Sequence, residues 1–149
     1  MGNRDCVVRF IGDKRPLSQE LKDSMKEIEE YSSQFEHTGF TFNFAINYGG
    51  RDEIIKSVRE IANMVKNGEI SPESIDEQLI NDHLYTAGLP DPDLMISPSG
   101  EQRISNFLLW QSAYTEFYYS DVLWPDFTPE MLEKAICIYQ QRNRRFGGV

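Results

Sequence analysis

An α/β fold, a largely parallel β-sheet flanked by helices, is what the sequence predicts, on three observations. Short apolar and aromatic runs alternate with stretches whose apolar residues recur at steps of three or four. The runs stop in glycine, proline and small polar residues, as strands do where they give way to helices. Their order is strand, helix, strand, helix, helix, strand, aromatic strand, helix, which is the βαβ rhythm of parallel pairing. Helices should cover both faces of such a sheet, although four strands and four helices are few for that purpose. The length of 149 residues predicts one domain over residues 1–149.

The elements follow in order. Residues 6–11 (CVVRFI) read as a buried strand ending at Gly12-Asp13. Leu17, Leu21, Met25, Ile28, Tyr31 and Phe35 mark one face of an amphipathic helix, capped by Ser18 and broken by His37-Thr38-Gly39. Residues 40–48 (FTFNFAINY), aromatic and bounded by Gly39 and Gly49-Gly50, predict a second strand. A second helix carries Ile54, Ile55, Val58, Ile61, Ala62 and Val65 on one face and closes at Gly68. Ser71-Pro72 opens a shorter helix through Leu79 to about Leu84, with proline at its first position. The rigid loop Leu89-Pro90-Asp91-Pro92 leads to a strand at Leu94, and Thr128-Pro129 starts a last helix with Met131, Leu132, Ala135, Ile136 and Tyr139 inward.

Composition narrows the function classes. A formal net charge of −9 argues against a general nucleic-acid binder. Basic residues do gather near the C-terminus, in Arg142, Arg144 and Arg145, where a solvated helix end favoured by the helix dipole is the plain reading. Cys6 and Cys137 lie far apart and outside any CxxC spacing, which points to a reducing compartment. With no long apolar run and no signal peptide, the expected location is the cytoplasm.

The candidate chemistry centres on residues 93–127. A strand ending in Ser97-Pro98-Ser99-Gly100 is where open α/β sheets place their ligands. Arg103 with Ser105 offers a forked guanidinium and a hydroxyl, both suited to phosphate oxygens, although a surface salt bridge from Arg103 to Glu101 is an equal alternative. Glu116 sits in an aromatic run, so it is either paired with an arginine or bound to a hard cation such as magnesium. Gly49-Gly50-Arg51 reads as a tight strand-to-helix turn rather than an anion site. His37 and His83 are isolated and receive no catalytic role, and no Ser-His-Asp order, zinc spacing, P-loop or dinucleotide fingerprint is present.

The run SGEQRISNFLLWQSAYTEFYYSDVLWPDF resembles the signature of the cis-prenyltransferases, the undecaprenyl diphosphate synthase family. So do NYGGRDEI, HLYTAGLPDPDLMI and the closing RRFGG, and together they cover essentially the whole chain. The resemblance implies elongation of an allylic prenyl diphosphate by isopentenyl diphosphate to a polyprenyl diphosphate of the undecaprenyl lipid-carrier type. It implies Arg103 and Ser105 as holders of the isopentenyl diphosphate, Glu101 in the same polar cluster, Glu116 as a magnesium ligand, and Arg145 and Gly147 as residues completing the partner subunit's site across a dimer interface. Magnesium is thus the expected cofactor, and a homodimer or a complementing partner chain the expected assembly, with membrane contact only peripheral, through the lipid product. Neutralised by magnesium and arginines, diphosphate becomes a competent leaving group. Residues 41–46 and the aromatic run could line part of an apolar tunnel for the hydrocarbon.

Two departures from the family pattern bear on activity. The family motif Ile-Arg-Thr-Ser-Gly-Glu is here Ile96-Ser97-Pro98-Ser99-Gly100-Glu101, so one arginine ligand is replaced by Ser97. Losing one charge-assisted contact costs roughly 1.5–3 kcal/mol, and Pro98 removes a backbone donor from the same loop. The N-terminal Asp-Gly-Asn-x-Arg-Trp segment that binds the allylic diphosphate in the family has no counterpart, Ile11-Gly12-Asp13-Lys14-Arg15 being only superficially similar. The expectation is therefore an N-terminally truncated cis-prenyltransferase fold with the isopentenyl-diphosphate half of the site and uncovered apolar faces that favour association. Its alternatives are a non-catalytic partner subunit and an inert truncated homologue that retains the dimer interface.

Overall fold

Strand β1 (Val7–Ile11) runs parallel to β2 (Thr41–Ala45), with Val7 opposite Thr41 and Ile11 opposite Ala45, in a computed structural model that describes residues 5–142. The first strand's N–H groups alternate in direction, as they must in a pleated chain. Val7 N donates to Phe40 O at 2.9 Å on the β2 side. Val8 N and Phe10 N point the other way, to Ser32 Oγ and Glu29 Oε1, each at 2.9 Å. Both acceptors belong to helix α1 (Gln19–Ser32), so the outer edge of β1 is satisfied by helix side chains instead of a third strand.

The predicted Ser18 cap is present, its side chain accepting from Leu21 N. The periodic face of this helix is only partly inward: Met25 is buried, while Leu21, Ile28 and Tyr31 are exposed. The chain tightens into a 3₁₀ segment (Ser33–Thr38) and turns at Gly39, whose φ is +67°. At the far ends of the strands Gly12 adopts φ +117°, and a Cβ there would lie 2.1 Å from Ile46 O; only glycine fits. Asn47, at φ 48°, donates from Nδ2 to Asp13 O at 2.9 Å and ties the two strand ends together.

Helix α2 (Gly50–Lys66) begins directly after extended Gly49, so Gly49-Gly50-Arg51 is indeed a strand-to-helix turn. Its buried face differs from the predicted apolar stripe. Glu53, Ser57 and Ile61 are buried, whereas Ile55 and Val58 are exposed. The cause is the turn at Tyr85, whose backbone N–H reaches Glu53 Oε2 at 3.0 Å and draws the acidic face inward. The single helix expected from Pro72 is two pieces, a 3₁₀ turn (Pro72–Ser74) and α3 (Glu77–Asn81). Asp76 separates them because its carboxylate accepts from Leu79 N at 2.8 Å, a cap that starts a helix afresh.

The chain folds as two compact units, one ending at Gly88 and the other beginning at Leu89. The second is built on β3 (Leu94–Ser97) parallel to β4 (Glu116–Tyr119), with Leu94 opposite Glu116 and Ser97 opposite Tyr119. Helix α4 (Pro129–Gln140) starts after Thr128 as predicted and packs on β4, with Ala135 fully buried. The fold is thus mixed α/β, and among the described residues its parallel pairing forms two two-stranded ladders.

The buried apolar side chains among the described residues are Met25, Ile61, Leu84 and Ala135. Large apolar groups at the surface are more numerous: Phe40 just before β2, Phe42 and Phe44 along it, and Leu123 and Trp124 before α4. Exposed apolar side chains of this kind match the sequence expectation of uncovered apolar faces.

Candidate functional site

The loop after β3 is anchored by its backbone and left open at its side chains. Ser99 N donates to Val122 O and Gly100 N to Ser120 O, each at 2.8 Å, while Ser120 N donates to Ser97 O at 3.0 Å. These bonds lay residues 97–100 along the segment leaving β4. Ser97 Oγ closes the turn by donating to Glu101 O at 2.8 Å. Ser99 and Gly100 have φ of 74° and 72°, and Ser105, Asn106 and Leu108 are also left-handed. Non-glycine residues hold that conformation only when surrounding bonds impose it, and such strain gathers at binding loops.

Glu101 and Arg103 lie together on this loop, with Arg103 Nη1 donating to Glu101 Oε2. Their side chains are 51% and 67% exposed, so the pair contributes little to stability and is free to exchange partners. The salt-bridge alternative for Arg103 is therefore the arrangement present, and it leaves the guanidinium at the surface. Ser105 follows in the same left-handed stretch.

Glu116 opens β4, its backbone N–H held by Asp93 O at 3.1 Å. Its Oε2 accepts from Arg142 Nη1 at 2.5 Å, so of the two readings for this acid the arginine pair is the one present. Sequence alone groups Arg142 with the solvated helix end; the signal that could single it out is the need of a carboxylate in an aromatic run for a counter-charge. Among the described residues no group of three or more His, Cys, Asp or Glu could hold a metal ion. Magnesium commonly takes one or two carboxylates and draws its other ligands from water and substrate phosphates. A lone carboxylate such as Glu116 could supply one protein oxygen to such an ion, in competition with Arg142 for Oε2. Arg145 and Gly147 lie outside the described residues.

The first unit holds a second polar cluster that sequence reasoning misses. Glu53, wholly buried, accepts from the Tyr48 hydroxyl and from Tyr85 N. The Tyr85 hydroxyl donates to Asp52 Oδ2 at 3.0 Å, and burial, then that bond, push its pKa up to about 12. Lys56 Nζ lies 5.4 Å from the Tyr85 ring centroid and donates to His83 O at 3.1 Å. Asp13 is held below the usual carboxylate range by the Arg15 guanidinium, which grips it at 2.8 and 3.0 Å. Through Glu53, Asp52 and Lys56 this cluster ties α2 to the turn at residues 83–85. His37 and His83 each bond a carbonyl of their own helical turn, Gln34 O and Leu79 O.

Paired parallel strands with an arginine-bearing loop beyond the first strand of the second pair make a mixed α/β architecture, and solved structures share the fold. The chain superimposes on lavandulyl diphosphate synthase from Lavandula x intermedia, solved in complex with dimethylallyl diphosphate, with a TM-score of 0.92 and 40% identity, covering 99% of this chain and 62% of that one. The family model for undecaprenyl diphosphate synthase matches residues 1–147, and the chain belongs to that prenyltransferase family. It is 50% identical to an isoprenyl transferase of Clostridium tetani over 145 residues, 97% of this chain and 56% of that protein. It is 49% identical to the farnesyl-diphosphate-specific ditrans,polycis-undecaprenyl-diphosphate synthase of Micrococcus luteus over 146 residues, 98% of this chain and 58% of that protein. The chain thus spans a little over half the length of the curated relatives it matches.

Proposed function

We propose that this chain serves cis-prenyl chain elongation, contributing the half-site that receives isopentenyl diphosphate for condensation with an allylic prenyl diphosphate. The observation that carries this reading is Arg103, an exposed guanidinium on a bond-anchored, left-handed loop at a strand's carboxyl end, in a chain of this family. Arg103 would leave Glu101 and fork onto the diphosphate, with Ser105 adding a hydroxyl donor. Magnesium, when bound with the diphosphate, would neutralise the leaving group, with Glu116 as its protein carboxylate. Arg145 and Gly147 would complete the site of a second subunit in a homodimer, or in a complex with a complementing chain. The exposed Phe42 and Phe44 of β2 offer apolar surface for a hydrocarbon or for a partner. Among the described residues no helix is long and apolar enough to cross a membrane, and peripheral contact with one would come through the lipid product.

One observation favours the alternative of a non-catalytic subunit. Ser97 stands where the resemblance expects an arginine ligand, and its hydroxyl is committed to Glu101 O. Calorimetry with isopentenyl diphosphate and magnesium tests the half-site. Binding that falls about tenfold or more in Arg103→Ala, with the melting temperature unchanged, is the expected result. Equal binding by both forms would remove Arg103 from the site, and incorporation of label into farnesyl diphosphate separates an active chain from a binding-only subunit.

A further inference from the structure

The ion pair between Arg142 and Glu116 differs in kind from the one between Arg103 and Glu101. The latter joins neighbours on one loop. The former joins a residue just past the end of α4 to the first residue of β4, 26 positions apart in sequence. Both ends have fixed backbones: Glu116 N is bonded to Asp93 O at 3.1 Å and Arg142 N to Tyr139 O at 3.0 Å. The side chains are 34% and 29% exposed, sheltered enough to stay paired and open enough for an ion to reach. A fully buried pair would be locked by the cost of stranding either charge, whereas a pair exposed to this degree is held weakly and exchanges.

We infer that Arg142 is a displaceable occupant of the Glu116 carboxylate, a positioning residue that keeps this acid neutralised until a cation claims it. While Nη1 engages Oε2, a hard cation must compete with a guanidinium for the same oxygen. Once released, Arg142 presents a planar fork of donors suited to phosphate oxygens. Neither group is left unpaired by the exchange: the carboxylate trades a guanidinium for the cation, and the arginine trades a carboxylate for a phosphate oxygen. Only the second half, transfer of Arg142 to a phosphate, rests on the diphosphate reading above.

Calorimetric titration of the full chain with magnesium alone tests the first half. Arg142→Gln is expected to bind magnesium about two- to fivefold more tightly than the parent, the range of a weak pair removed as competitor. Magnesium affinity that is unchanged or weaker in Arg142→Gln overturns the inference. Inorganic diphosphate without magnesium tests the second half, and Glu116→Gln, which frees Arg142, is expected to bind it more tightly by a similar factor. Should Arg142→Gln fail to fold by circular dichroism, Glu116→Gln decides alone, and unchanged diphosphate affinity there overturns the inference. If no form binds diphosphate while Arg142→Gln still gains magnesium affinity, the diphosphate reading fails and the hold of Arg142 on Glu116 stands.

Discussion

The two units of the chain treat their polar groups differently. In the first, side chains serve the backbone: Ser32 and Glu29 finish the edge of β1, Asn47 ties two strand ends, and buried Glu53 gathers Tyr48 and Tyr85. Asn47 is its one described non-glycine residue with positive φ. In the second, Ser99, Ser105, Asn106 and Leu108 are all left-handed within a single loop, and the charged residues of that loop lie at the surface. A framework minimises strain and satisfies its own groups; a surface made for a ligand leaves both unfinished. The contrast fits the proposal that puts the isopentenyl diphosphate half-site on the second unit.

The largest test of that contrast is Glu53→Ala, which takes a fully buried acceptor from two donors and should destabilise the first unit by about 2–5 kcal/mol. Hydrogen exchange should show the loss confined to residues 5–88. Equal loss across the second unit would mean that the chain unfolds as the one domain its length predicts. A smaller and opposite effect is expected from Ser99→Gly, at φ 74°. Relief of the left-handed strain, offset by the entropy of a freer unfolded chain, should stabilise the second unit by about 0.5–1 kcal/mol in denaturant melts. A destabilised variant would show that the loop is not strained.

The smallest effect is a pH dependence located in the first unit. Tyr85 has its pKa raised to about 12 by burial and by Asp52, so its neutral form is favoured when folded. The stability this contributes is complete below the free tyrosine value of about 10 and is lost as pH climbs toward the folded value. Melts of the parent should therefore decline over that alkaline window more steeply than those of Tyr85→Phe. Parallel profiles would leave Tyr85 with no part in the alkaline loss.

Much of the framework is legible in the sequence because its signals are local. Ser18 caps α1, Gly49 opens α2, and Thr128-Pro129 starts α4, each declared by residue type within one turn. Sequence and structure part where a distant group intervenes. The buried face of α2 follows Glu53 and Ser57 rather than Ile55 and Val58, because a backbone N–H from Tyr85, 32 residues on, must be met. Asp76 splits the helix that Pro72 predicts as one. At the site, the sequence frames the alternatives for Arg103 and Glu116, but the choice of partner for Glu116 depends on which helix end arrives beside β4, and no spacing rule encodes that. Periodicity predicts the apolar faces but not which of their residues stay exposed, as Leu21, Ile28, Tyr31, Phe42 and Phe44 do.

The seal on the outer edge of β1 has a consequence for growth of the sheet. Ser32 and Glu29 occupy the donors that an incoming strand would need, at Val8 and Phe10. A new strand could add there only after α1 swung aside and gave up both bonds. The helix therefore acts as a doorstop at this edge: it blocks casual strand addition to β1, and it makes any widening on that side a concerted, slow event rather than a simple collision.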